Sequence, residues 1–210
     1  MAQKYQAILF DLLTALLDSW AVWDAAAGSS ERGRAWRAEY LKLTYGCGAY
    51  RPYEALVAEA ASAVGLTPDH PARLEVAWQD LAPWSGVSEV VGALARTHRL
   101  GVVTNCSERL GRAAAARVGV PFEVIVTSER AGYYKPDPRP YQLALDELGL
   151  APRQVLFVAG SGFDLFGTAS VGLDTYWHNR VGLAAPPGAP ATLIEARDLA
   201  RLPALALASV

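Results

Sequence analysis

Four short stretches place reactive side chains at the ends of apolar runs. In AILFDLLTALLDSW, residues 7–20, the apolar run Ala7 to Phe10 delivers one carboxylate, Asp11, and apolar residues resume at once with Leu12 and Leu13. LGVVTN ends on Thr104 and Asn105, YYKPDPRPY carries Lys135 and Tyr141, and QVLFVAGSGFD leads to Ser161 and Asp164. A carboxylate between hydrophobic blocks is costly unless paired or hydrogen-bonded. Lys135 is the cation that would keep Asp11 ionised. A desolvated, oriented carboxylate beside an ammonium is a competent nucleophile.

These residues converge only if the elements carrying them line up. QAILF reads as a short buried strand, and LGVVTN, FEVIVTS, QVLFVAG and DTYWHN read as further strands. Between them, SERLGRAAAARVG, PRPYQLALDELGL and DLFGTASVG have helical patterns, and ATLIEARDLARL reads as strand then helix. Strands alternating with helices predict a parallel sheet covered on both faces. Residues 19–95 depart from that rhythm. SSERGRAWRAEYLKLTYG opens with Ser/Glu capping chemistry, PYEALVAEAASAVGL runs from a proline start to a glycine stop, and PDHPARLEVAWQDL and GVSEVVGALARTH continue the helical spacing. The expected fold is therefore α/β, a Rossmann-like doubly wound parallel sheet with an inserted helical cap. Its core comprises residues 1–15 and 91–210, and its cap residues 16–90. In such sheets ligands sit beyond the carboxyl ends of the strands, which is where Asp11, Thr104, Asn105, Ser161 and Asp164 fall.

Composition narrows the function. With 52% hydrophobic and 19% charged residues the 210-residue chain has ample material for a packed core, and a formal net charge of −2 with no Lys/Arg cluster argues against nucleic acid as a partner. No stretch approaches the ~20 apolar residues of a membrane span. The first apolar run begins too early and is too short for a secretory signal, so the expected location is cytoplasmic. Cys47 and Cys106 lack the spacing of a metal site or disulfide framework. Cys106 lies close enough to Asn105 for thiol reagents to inhibit without a catalytic role. His70, His98 and His178 form no triad or metal spacing. Several candidates also have structural readings: Thr104 and Asn105 suit a cap for the following helix, Asp164 suits an N-cap, Tyr141 suits a core position, and Trp20 and Trp23 suit either packing or an apolar pocket wall.

The ordered set FDLLTALLD, VVTNCS, YKPDPRPY and VLFVAGSGFDLFGTASVGLDTYWHNR resembles the haloacid dehalogenase superfamily, over roughly residues 5–16 and 95–180. Phosphatases of that superfamily carry a second acid two residues after the nucleophile and an acid in a late GD pair; here those places hold Leu13 and the Ala159–Gly160 pair. The chain is more similar to the L-2-haloacid dehalogenase branch, through Lys135, Tyr141, Phe163–Asp164 and the WxNR match at Trp177 to Arg180. That resemblance implies no metal or other cofactor. It implies Asp11 as nucleophile, Lys135 as its ion partner, and Asp164 as the group that places or activates water. Thr104, Asn105, Leu13, Thr14, Tyr141 and Ser161 would then surround a small carboxylic-acid substrate. A homodimer is plausible by resemblance alone.

The departures raise alternatives. Where the family writes FDxYGTL this chain has FDLLTAL, so Tyr, Gly and Thr become Leu13, Thr14 and Ala15, and the hydroxyl moves by one residue. Matching WRAEYLKLTYGC to the family helix sets Cys47 where a halide-binding Arg is expected, leaving Arg37 and Arg51 as substitutes. The Ser and Asn before the final Asp become Ala159 and Ser161. A missing halide cradle would suit hydrolytic opening of a strained azetidine-type imino acid, where the leaving group is an amine. Accumulated losses would suit a non-catalytic binding protein.

Overall fold

The computed structural model describes residues 4–207. Among them, six parallel strands form one sheet: β1 (Ala7–Phe10), β2 (Arg99–Thr104), β3 (Val124–Thr127), β4 (Val155–Ala159), β5 (Asp174–His178) and β6 (Ile194–Ala196). Their spatial order is β3-β2-β1-β4-β5-β6. The order reverses between β1 and β4, the place where this class of sheet opens a crevice. Phe10, the last residue of β1, pairs with Val102 on one side and Val158 on the other, so β4 runs one residue and β2 two residues beyond the end of β1.

Side-chain alternation divides the core in two. Ile8, Phe10, Val102, Leu156 and Val158 face one layer, with Val91 of α5 (Val87–Leu94), Ala114 of α6 (Glu108–Ala116) and Leu202 of α10 (Leu202–Ala206). Leu9, Val103, Val126 and Phe157 face the other, with Leu145 of α8 (Pro138–Leu148) and Leu165 of α9 (Asp164–Ser170). The sheet is thus covered on both faces, as the strand–helix alternation predicts.

The segment after β1 folds into α1 (Ser19–Ala27), α2 (Ser30–Gly46), α3 (Tyr53–Ala63) and α4 (Asp69–Ala77). Trp36 of α2 and Leu56 of α3 are fully buried in the same apolar cluster as Phe10. Ser29 caps α2, accepting from the Arg32 N–H, as the Ser/Glu pattern suggests. Two details differ from the sequence reading. Ser128, assigned to the end of a strand, opens a one-turn helix, α7 (Ser128–Ala131), because the Thr127 side chain accepts from the Arg130 N–H. The cap of α6 is Ser107, not Thr104 or Asn105; its hydroxyl accepts from the Leu110 N–H.

Candidate active site

The backbone of Asp11 stays tied to the sheet, its N–H donating to the Val158 carbonyl at 2.9 Å, so the side chain emerges at the crevice between β1 and β4. Asp11 is 6% exposed, Lys135 4% and Asp164 3%. Lys135 Nζ lies 2.8 Å from Asp11 Oδ1 and 2.8 Å from Asp164 Oδ1. Asp11 Oδ2 accepts three further bonds: from Thr14 N at 2.9 Å, Thr14 Oγ1 at 2.5 Å and Ala15 N at 3.1 Å.

Each member is held from behind. Asn105, just past β2, brackets the Lys135 backbone: its Oδ1 accepts from Lys135 N at 2.7 Å and its Nδ2 donates to the Lys135 carbonyl at 3.0 Å. Ser128 Oγ donates to the same Oδ1 at 2.9 Å, fixing the amide. Tyr141 Oη donates to Asp164 Oδ1 at 2.9 Å. That bond requires Gly167, because a Cβ there would lie 2.2 Å from the Tyr141 ring.

These contacts set the charges. Burial works against an ionised Asp11, but the Lys135 ammonium and the Thr14 donors outweigh it and hold that carboxyl below its ordinary range. For Asp164 burial dominates: Lys135 opposes it, the charge on Asp11 reinforces it, and the carboxyl is pushed up. Burial would strip the proton from Lys135, yet the two carboxylates raise it instead. Two acids in one site are driven apart, the arrangement that gives carboxylates different chemical roles.

The three groups open on a cavity of about 130 Å³. Of the residues expected around a substrate, Leu13, Thr14, Asn105 and Ser161 line it. Thr104 and Tyr141 do not, which corrects the expectation of direct contact. Thr104 is buried behind the strand end, and Tyr141 acts on Asp164 from the core side.

The helical segment supplies the remaining wall. Trp20, Tyr40, Leu41 and Tyr45 reach the cavity, and the Tyr45 ring packs 4.6 Å from that of Phe163. Trp20 is thus a wall residue, whereas Trp23 is buried against Trp36. Leu183 and Pro186, in the loop after β5, close another side. Nothing in their composition signals this; the chain reversal after β5 carries them there.

Cys47 and the two arginines offered as substitutes lie in different places. Cys47 is outside the cavity, its Sγ donating to the Thr44 carbonyl. Arg51 is ion-paired to Glu59 elsewhere. Arg37 lines the cavity, stacked 4.2 Å over the Trp20 ring with Nη1 donating to Ser19 Oγ at 2.8 Å. Among the described residues no carboxylate lies within ion-pair distance of it, so Arg37 is a cation aimed at a cavity without an acid partner. Arg37 lies on α2, whose C-cap is Cys47.

Residues 5–172 match the family described as haloacid dehalogenase-like hydrolase. The chain is 28% identical over 187 residues to an (S)-2-haloacid dehalogenase of Xanthobacter autotrophicus, covering 80% of this chain and 72% of that protein. It is 28% identical over 193 residues to (S)-2-haloacid dehalogenase 1 of Pseudomonas sp. (strain CBS-3), covering 84% and 85%. Its fold superposes on the structure of L-2-haloacid dehalogenase from Xanthobacter autotrophicus with chloropropionic acid covalently bound, with a TM-score of 0.86 and 22% identity over 96% and 98% of the two chains.

Proposed function

This chain belongs to the haloacid dehalogenase-like hydrolases, and from that premise we propose that it displaces a halide from the α-carbon of a small 2-haloacid, using Asp11 as nucleophile and no metal. The observation that carries the proposal is the buried Asp11–Lys135–Asp164 relay beside a small cavity lined by Arg37, an arginine with no acid partner among the described residues.

The attacking oxygen is Asp11 Oδ1. Its bond to the α-carbon forms as the carbon–halogen bond breaks, and the halide leaves with the electron pair. Arg37 draws in the anionic substrate and receives the departing halide. Leu13, Trp20 and Leu41 exclude water from the carbon under attack, and a cavity of about 130 Å³ suits an acid of few carbons. Helices α1–α4 then act as a cap that completes the pocket.

Water next attacks the carbonyl carbon of the aspartyl ester. Asp164, whose affinity for a proton is raised by burial, takes a proton from that water and returns it to the departing alkoxide. The products are a 2-hydroxy acid, halide and one proton, with Asp11 restored. A base poised above the ordinary carboxylate range is suited to this transfer.

Metal-assisted phosphoryl transfer fits these side chains poorly. The place between the two carboxylates, where a divalent cation would be held, is taken by the Lys135 ammonium, and Leu13 offers no proton to a leaving group. The case for a strained imino acid is motivated by a missing leaving-group cation; Arg37 at the cavity supports a halide instead. The test is halide release from 2-chloropropionate with mass analysis of the protein during turnover. The expected result is a transient adduct on Asp11 and no turnover in Asp11→Asn. Halide release by that variant at the normal rate would overturn the proposal.

A further inference from the structure

Three donors converge on a single oxygen, Asp11 Oδ2: two successive backbone N–H groups and the Thr14 hydroxyl. The loop that supplies them is held at both carbonyls. Trp84 Nε1 donates to the Thr14 carbonyl at 3.0 Å, and the His178 ring lies with Nδ1 2.7 Å from the Ala15 carbonyl. The loop also needs room. A Cβ on Gly160 would lie 2.2 Å from Ala15 N and 2.3 Å from Thr14 Oγ1, so no side chain fits at position 160 while the loop stays where it is.

We infer that Thr14 and Gly160 are a matched pair that builds an oxyanion cradle around Asp11 Oδ2, and that this cradle serves ester hydrolysis rather than ester formation. The inference rests on the aspartyl-ester reading above.

The two oxygens of Asp11 are not equivalent. Oδ1 has one charged donor, Lys135, and is the oxygen left to attack. Oδ2, held by three donors, becomes the carbonyl oxygen of the ester. When water adds to the carbonyl carbon, the π electron pair moves onto Oδ2, which then carries a full negative charge. Collapse of that intermediate expels Oδ1 as the alkoxide of the hydroxy acid. Charge on Oδ2 therefore falls as the ester forms and rises as it breaks down. Donors fixed at that oxygen favour the second step; in the first they only help Lys135 keep Asp11 ionised and do not lower the barrier to attack. The hydroxyl that moved by one residue in the sequence, from Ala15 to Thr14, acts on this oxygen because Gly160 lets the loop lie against the end of β4.

Single-turnover measurements with enzyme in excess over 2-chloropropionate separate the steps. Halide release reports ester formation, and decay of the mass adduct on Asp11 reports hydrolysis. In Thr14→Val, which keeps the side-chain shape, halide release is expected at the wild-type rate or faster. Adduct decay should slow about 100-fold, the usual effect of losing one such donor, so that the ester accumulates. Thr14→Ser, which keeps the hydroxyl, should restore decay. Adduct decay in Thr14→Val as fast as in wild type, or slowing equally severe in Thr14→Ser, overturns the cradle while leaving the nucleophile intact. Absence of any adduct in wild type overturns the underlying reading and the cradle with it.

Discussion

Asp11 and Asp164 share one ammonium, each with Oδ1 2.8 Å from Lys135 Nζ, yet one carboxyl is pushed down and the other up. The difference lies in their other partners. Asp11 Oδ2 has three donors within 3.1 Å, whereas Asp164 gains Tyr141 Oη at 2.9 Å and a long bond of 3.4 Å from Ser161 N.

Asp164→Asn is expected to stabilise the fold while stopping turnover. A carboxyl raised above its unfolded value destabilises the folded state once it ionises, and the cost fades as pH falls through the raised value. A neutral amide removes it, and leaves one buried cation with one buried anion. A gain of about 1 kcal/mol would raise Tm by about 2–4 °C for a chain of this size. Thermal unfolding at pH 7 checks the gain, and persistence of the ester after 2-chloropropionate treatment checks the loss.

The acid limb of the pH–rate profile should lie above the ordinary aspartate value of about 3.9, because the proposed ester hydrolysis needs Asp164 ionised and burial raises its carboxyl. The limb belongs to the coupled pair rather than to one residue. Stability responds differently. Asp11, depressed in the fold, contributes above its unfolded value and loses that contribution as pH falls through its lower folded value. Lys135, raised in the fold, contributes fully below about pH 10.4, its unfolded value, and loses that as pH rises through its folded value. Acid should therefore stop the reaction before it unfolds the protein, which parallel measurements of halide release and circular dichroism would reveal.

Arg37→Gln should reduce kcat/KM for 2-chloropropionate about 100-fold or more, as expected for removing a charged donor from a desolvated site. Arg51→Gln should leave it unchanged, since Arg51 pairs with Glu59 at 2.6 Å away from the cavity. Comparable losses in both variants would count against Arg37 as the anion-binding group.

Thiol reagents should leave the activity intact. Cys106 adjoins Asn105 in sequence, but its side chain is fully buried in the core and burial pushes its thiol well up. Cys47 is half-buried outside the cavity, and burial raises it as well. The inhibition expected from proximity in sequence therefore should not occur. Activity after iodoacetamide treatment of the native protein, with labelling followed by mass, is the measurement.

The sequence determined the strand ends. Apolar runs of four to six residues, bounded by polar residues and alternating with helical patterns, specify a parallel sheet, and Asp11, Asn105, Lys135 and Asp164 follow from where those runs stop or where the next helix begins. The relay was legible because local periodicity and short motif spacing are written in contiguous residues. Which polar groups face the cavity was not. Thr104 and Tyr141 sit at expected positions, but their side chains end up behind the site, because orientation depends on what packs against them. Arg37 and Leu183 reach the cavity through the path of α2 and of the loop after β5, contacts between residues far apart in the chain. The Thr14–Gly160 pair, too, exists only in the tertiary structure: two residues 146 positions apart fit because one has no side chain where the backbone of the other must pass.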